Sequence, residues 1–234
     1  MSYQFEAIGT IHSCFKEKFG IPRQPGLVTE AEATLELLPP YNKPEALQGL
    51  EEYSHLWISF VFHQSISTPW RPMVRPPRLG GNKKMGVFAT RSPIRPNPMG
   101  LSVVELTTVD HKACRLLLKG VDLLDGTPVL DIKPYLPYVD AITDAKGGFA
   151  PQAPNHKGIN IIFEEQAQQA LAAIVGDKLP QMTQLIRQLL ELDPRPAYMK
   201  NDSEPREFGM HLHNFNLRWR VEGQRATLFE IKAV

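Results

Sequence analysis

The feature that most limits what this chain can fold into is a series of short apolar stretches, each about the length of a strand, separated by proline, glycine and other turn-forming residues. Up to about Pro137 these stretches are Phe5–Ile11, Ala31–Leu38, His55–His63, Met85–Thr90, Leu101–Val109 and Arg115–Lys119. Val129–Ile132 follows after the Asp125-Gly126 turn signal. Several alternate with period two, the spacing of a strand with one buried face. One short helix is predicted over Glu45–Glu52, with Pro44 at its first turn. Many short strands with such connections predict a barrel or sandwich rather than alternating βαβ units.

Past about residue 140 the pattern changes. The stretch DAKGGFAPQAPNHK reads as a linker by its glycine, proline and polar content. Ile159–Phe163 then reads as a strand, and Glu164–Val175 as a helix with acidic residues at its start and Gly176 at its stop. Gln181–Leu192 is a second predicted helix, closed by Asp193-Pro194. Further on, Phe215, Leu217, Trp219 and Val221 alternate with Asn216, Arg218 and Arg220, and Glu222-Gly223 turns the chain into Ala226–Lys232. His211 and His213 are expected to share a strand face. The domains are therefore a β-rich unit over 1–140, a linker over 141–157 and a smaller α+β unit over 158–234.

Composition narrows the class. At 42% hydrophobic and 22% charged, the chain has enough apolar mass for a core without staples. No apolar run approaches the roughly 18 residues of a membrane span, and the opening MSYQFEAIGTIHS lacks a basic segment followed by an apolar one. Cys14 and Cys114 form no CxxC pair, which excludes a disulfide framework and cysteine-based zinc. The seven histidines show no metal spacing, so no metal is expected. A soluble cytoplasmic protein is the expectation.

Charge is more informative than its total. No acidic residue lies between Glu52 and Glu105, while Arg71, Arg75, Arg78, Lys83, Lys84, Arg91 and Arg95 contribute +7. With a net charge of +1, the remainder carries −6. Such segregation suits an anionic partner, though a solvated basic face has the same composition. Within the block, RPPRLGGNKKMGVFATRSPIRPNPMG holds arginines on a proline-stiffened loop, and a guanidinium fork on a stiff support suits phosphate or carboxylate. Arg91 and Arg95 bracket Ser92-Pro93 and precede Pro96-Asn97-Pro98. In LLDGTPVLDIKPY, Asp125, Gly126 and Thr127 form a turn at a strand end. Asp131 and Lys133 alternate with Ile132, and either face a site or form an exposed ion pair. Arg195 and Tyr198 in DPRPAYMK pair a charge with a stacking surface, or simply follow a helix stop. No G-x-S-x-G, Walker A or G-x-G-x-x-G motif occurs. The residues alone describe an anion-binding, β-rich protein with RNA as a suitable partner.

At these same segments the chain resembles the TsaA-like (YaeB-like) tRNA methyltransferases. The resemblance runs through PRQPGLV, YSHLWISFVFHQ, RPPRLGGN, GVFATRSPIRPNPMG, DLLDGTPVLDIKPYLP and DPRPAY, and reaches the C-terminal LHNFNLRWRV. It implies an enzyme that uses S-adenosylmethionine (SAM), bound on a β-barrel domain rather than a Rossmann sheet, and that works as a homodimer. The implied reaction is methylation of N6 of threonylcarbamoyladenosine at position 37, beside the anticodon of tRNA.

By the same resemblance, Gln24, Pro25, Gly26, His63, Gln64, Arg91, Asp125, Gly126 and Thr127 surround SAM. Arg91 is the chemical choice for its carboxylate. The acceptor nitrogen is conjugated and weakly nucleophilic, so a base is wanted, with Asp131 and His63 as candidates. Arg95 or Lys133 would take the threonyl carboxylate, while Arg75, Arg78, Asn97, Tyr135, Arg195 and Tyr198 would face the anticodon loop. Two other readings share the features: a non-catalytic RNA-binding module, and a sensor that binds SAM without turnover.

Overall fold

The computed structural model describes residues 1–153, 159–195 and 204–234. In its first half the elements are β1 (Gly9–Ser13), β2 (Glu32–Leu37), β3 (His55–Val61), β4 (Met73–Val74), β5 (Met85–Gly86), β6 (Met99–Asp110), β7 (Arg115–Lys119), β8 (Thr127–Pro134) and a single helical turn, α1 (Pro137–Asp140). Six strands close a barrel in the order β1-β2-β7-β6-β3-β8, every neighbouring pair antiparallel. Period-two patterning turns Ile11, Leu35, Leu56, Ile58, Phe60, Val104, Leu116, Leu118 and Val129 inward, where all are buried. Truncating one of the fully buried leucines, such as Leu56, should cost about 2–5 kcal/mol through lost transfer energy and the cavity left behind. Phe60 faces Gly100 across the ladder, and a Cβ there would stand 2.2 Å from Cζ of the ring. Only glycine fits beneath that phenylalanine.

The second half contributes β9 (Asn160–Phe163), α2 (Glu165–Val175), α3 (Leu179–Glu191), β10 (Arg206–Leu212), β11 (Phe215–Glu222) and β12 (Arg225–Ala233). Its sheet runs β10-β11-β12-β9, with β9 parallel to β12 and the other pairs antiparallel. Phe215, Leu217, Trp219 and Val221 face inward, with Phe208 and Phe19 stacked on the Trp219 indole. Met182, Leu185, Ile186, Leu189 and Leu190 form the buried stripe of α3.

The barrel and this sheet share a continuous core. Phe15, just after β1, bridges to Leu212, and the His213 backbone N–H donates to the Cys14 carbonyl at 2.8 Å. Helix α3 docks through Gln188, which accepts from the Glu30 backbone N–H at 3.2 Å and donates to Thr29 Oγ1 at 2.9 Å. Gln181 donates to Glu32 at 2.7 Å. Among the described residues no helix is long and apolar enough to cross a membrane.

Three local expectations are corrected. The helix predicted over Glu45–Glu52 is two separate 3-10 turns, Pro44–Leu47 and Leu50–Glu52, because Gly49 between them takes a left-handed conformation at φ 82°. The strand predicted over Met85–Thr90 stops at Gly86. The Thr90 backbone N–H and hydroxyl both return to the Val87 carbonyl and close a turn. His213 lies at φ 52° in the hairpin after β10, so it does not share a strand face with His211. The strand expected around His211 is β10, and it begins earlier, at Arg206, although charged Arg206 and Glu207 and the small Gly209 interrupt its apolar pattern.

Candidate functional site

Strand register decides which loops meet. Ser13 pairs with Ala33, Ile11 with Thr127, Glu32 with Lys119 and Val61 with Met99. The end of β1, the start of β2, the end of β3, the start of β6, the end of β7 and the start of β8 therefore lie at the same end of the barrel. Three connections close that mouth: 14–31, 62–98 and 120–126. The first carries Gln24, Pro25 and Gly26. The second carries His63, Gln64, Arg75, Arg78, Arg91, Arg95 and Asn97. The third delivers Asp125 and Gly126 to Thr127. Segments far apart in sequence are thus gathered on one rim.

The connections also hold one another. The Gly26 N–H donates to the Gly120 carbonyl at 2.8 Å, and the exposed Arg91 guanidinium donates to Gln24 Oε1. His63 opens a 3-10 turn after β3, and the Gln64 carbonyl accepts from Lys18 at 3.1 Å. Arg95 donates to the Thr90 carbonyl at 3.3 Å, and Arg78 to the Gln152 carbonyl. Arg75 and Asn97 are exposed. Asp125 braces the rim, since Oδ1 accepts the Ser13 N–H at 2.9 Å and Oδ2 pairs with Lys16 at 2.9 Å. The buried Thr127 hydroxyl donates to the Leu124 carbonyl at 2.6 Å.

The remaining candidates lie elsewhere. Asp131 stands opposite Ser59 and Lys133 opposite Trp57, on the outer wall of the barrel, since their neighbours Leu56, Ile58 and Phe60 face the core. Asp131 and Lys133 form an ion pair with each other. Beside them Tyr135 lies between His55 and Trp57, at ring distances of 6.3 and 6.0 Å, and Trp57 Nε1 donates to Asp140 at 3.0 Å. Arg195 is buried at 6% exposure and gripped by Asp193 at 2.7 and 3.1 Å, an ion pair closing the end of α3. Tyr198 lies outside the described residues.

One residue of the mouth is not evident from sequence. Asp122, on the third connection, accepts the hydroxyl of buried Ser102 at 2.7 Å. Burial pushes its carboxyl up to about 6, against the lowering effects of Ser102, a backbone hydrogen bond and the Arg91 charge. The available signal is an acidic residue set between the apolar Val121 and Leu123, both buried. Among the described residues no group of three or more histidine, cysteine, aspartate or glutamate side chains is arranged to hold a metal ion.

A cation, a carboxylate and an amide on a barrel rim suit a small zwitterion, while the basic connection around them suits a polyanion. Comparison with known proteins agrees with that chemistry. Residues 10–141 match the model of the tRNA-methyltransferase O N-terminal domain, and residues 156–234 match that of the TrmO C-terminal domain. The tRNA (adenine(37)-N6)-methyltransferase of Escherichia coli (strain K12) is 50% identical over 233 residues, covering 99% of this chain and 98% of the relative. The protein of that name from Eikenella corrodens is 45% identical over 184 residues, 78% of this chain and 98% of its own. The crystal structure of TrmO from Pseudomonas aeruginosa superposes with a TM-score of 0.82 at 42% identity, covering 100% of this chain and 99% of the other. The chain belongs to the tRNA-methyltransferase O family.

Proposed function

We propose that this protein is a SAM-dependent tRNA methyltransferase that methylates N6 of threonylcarbamoyladenosine at position 37, with the barrel mouth as its cofactor site. The observation that carries the reading is the convergence of Gln24, His63 and Arg91 on one rim, beside a connection that bears seven basic residues and no acidic one. The family relationship supports it, since relatives across the full length are named for methylation of adenine 37 at N6.

The residues of the mouth fit the cofactor. Arg91 offers a guanidinium to a carboxylate, steadied by Gln24. The cofactor's sulfonium supplies an activated methyl group. Methyl transfer forms an N–CH3 bond at N6, breaks an S–CH3 bond and releases the N6 proton, so positioning and a proton acceptor are what the protein must add. His63 is the acceptor in this reading, because it lies at the mouth, whereas Asp131 is held by Lys133 on the outer wall. Arg95, half-buried on the same connection as Arg91, takes the threonyl carboxylate. Arg75 and Arg78 serve anticodon-loop phosphates, and Tyr135, Trp57 and Lys133 form a stacking and charged surface for its bases.

The protein acts as a homodimer in the cytoplasm. Exposed Leu101 and Met99 on the outer wall, with Ile66, Trp70 and Phe88 on the long connection, supply apolar surface of the kind an interface covers. Mass spectrometry of nucleosides from tRNA incubated with protein and SAM tests the activity. A gain of one methyl on threonylcarbamoyladenosine, absent without protein, is the expected result. SAM binding without that gain would make the protein a sensor, and tRNA binding without SAM binding an RNA module.

A further inference from the structure

The amino-acid end of SAM carries a carboxylate and an ammonium group on one carbon, so a site that recognises both needs a cation and an anion side by side. Arg91 and Asp122 supply these two charges at one mouth: Arg91 donates to Gln24, and two residues beyond Gln24 the Gly26 N–H donates to the Gly120 carbonyl, two residues before Asp122. They come from different connections, 62–98 and 120–126, and each is steadied by a neutral partner, Gln24 for Arg91 and Ser102 for Asp122. Two nearby lysines are already matched by carboxylates. Lys16 pairs with Asp125 at 2.9 Å, and Lys119 lies 3.9 Å from Glu30 and 3.7 Å from Glu32. The charge that acts on Asp122 is Arg91.

Asp122 also sits where a carboxylate has no structural need to be. Ser102 faces the barrel interior from β6, and Val121 and Leu123 on either side are buried. An apolar residue would serve packing there at least as well, because a carboxylate must be stripped of water. Yet Asp122 is only half-buried, so the residue is not sealed from solvent. We infer that Asp122 is a cofactor-binding residue whose carboxylate takes the ammonium group of SAM while Arg91 takes the adjacent carboxylate. The inference rests on the reading of the mouth as the SAM site.

Its free carboxyl holds a proton up to about pH 6, and a bound ammonium favours the ionised form. Cofactor affinity should therefore be level above that pH and fall about tenfold per pH unit below it. His63 stands at the same mouth, so the contrast between wild type and an Asp122 variant isolates the carboxyl.

The experiment is calorimetry on the full chain, wild type and Asp122→Asn, with SAM and with methylthioadenosine, which lacks the amino-acid end. The variant should bind SAM about ten- to a hundred-fold more weakly, as expected for a lost charge-assisted hydrogen bond. It should bind methylthioadenosine within about two-fold of wild type, and its SAM affinity should no longer fall between pH 7 and pH 5. Ser102→Ala provides a second test that leaves the carboxylate in place: the fall in SAM affinity should begin at a higher pH. An unchanged SAM affinity in Asp122→Asn, an equal loss of both ligands in the folded variant, or a retained pH profile would overturn the assignment while leaving the mouth as the SAM site. If wild type binds neither compound, the reading of the mouth fails and the assignment with it.

Discussion

Two regions of this molecule display arginines to solvent, and they use them in opposite ways. On the outer face of the second sheet, Arg218 is held by Glu207 at 3.0 Å and Glu230 at 3.3 Å, Arg220 by Glu207 at 2.8 Å and Lys232 by Glu230 at 2.5 Å. Both arginines also lie over the Phe229 ring. Cross-strand register does this: Arg218 stands opposite Glu230, and Arg220 opposite Glu207. On the connection 62–98 there is no acidic residue to pair with, and Arg78, Arg91 and Arg95 turn to carbonyl and amide oxygens. A neutral oxygen orients a guanidinium without cancelling its charge. The sheet has neutralised its cations and the connection has kept them. An arginine's availability is read from its partners, not from its exposure.

The contrast is sharpened most by Arg91. Arg91→Lys should weaken SAM binding by about 1.5–3 kcal/mol in calorimetry, because an ammonium cannot reproduce the guanidinium fork, with little change in the salt dependence of tRNA binding. An unchanged SAM affinity with a flatter salt slope would place Arg91 among the phosphate contacts.

Asp122 gives the next effect, which is read in stability as well as in binding. Its carboxyl is raised from the ordinary 3.8 to about 6, so the folded state holds a proton more tightly than the unfolded chain. Stability should fall as pH rises from about 4 to 6 and stay lowered above. Asp122→Asn should therefore be more stable than wild type at pH 7.5, by roughly 1–3 kcal/mol in urea denaturation, and lose that advantage near pH 4. A destabilised variant at pH 7.5 would mean that the carboxylate serves the fold.

Smaller effects belong to the phosphate side. Arg75→Ala and Arg78→Ala should each lower the slope of log affinity for tRNA against log salt by about 0.7 in filter binding, with SAM affinity unchanged. On the sheet, Arg218→Ala should alter tRNA and SAM binding by less than about two-fold, since an exposed ion pair already engages that cation. A loss of tRNA affinity comparable to that of Arg75→Ala would break the contrast between the two faces.

Much of the fold is legible in the sequence because each strand carries its own signal. Alternation in β3 and β11, proline and glycine at the connections, and the Asp125-Gly126 turn all act within a few residues. Closure of the barrel is not legible, because the pairing of β1 with β8 joins residues more than a hundred positions apart. The same limit governs the site. Arg91 and Asp125 stand out by residue type and Gln24 only through the family resemblance, but their meeting at one rim follows from register alone. Asp131 shows the converse. Its alternation with Ile132 is plain in the sequence, yet that alternation does not say which face is the interior, and the structure turns it outward beside Lys133. Asp122 is hidden because a single acidic residue among apolar ones resembles a turn until Ser102 appears beside it.

The long connection leaves the barrel at Val61 and returns at Met99, and these two residues are paired neighbours in the ladder. Its ends are therefore joined by the barrel itself, whatever lies between them. Closing a longer loop costs little more than closing a short one, since the entropy grows only with the logarithm of length. The excursion can then lengthen, shorten or change its charges over generations while the strands beneath keep their partners. Such a cassette lets a lineage revise what the mouth presents to a ligand without renegotiating how it folds.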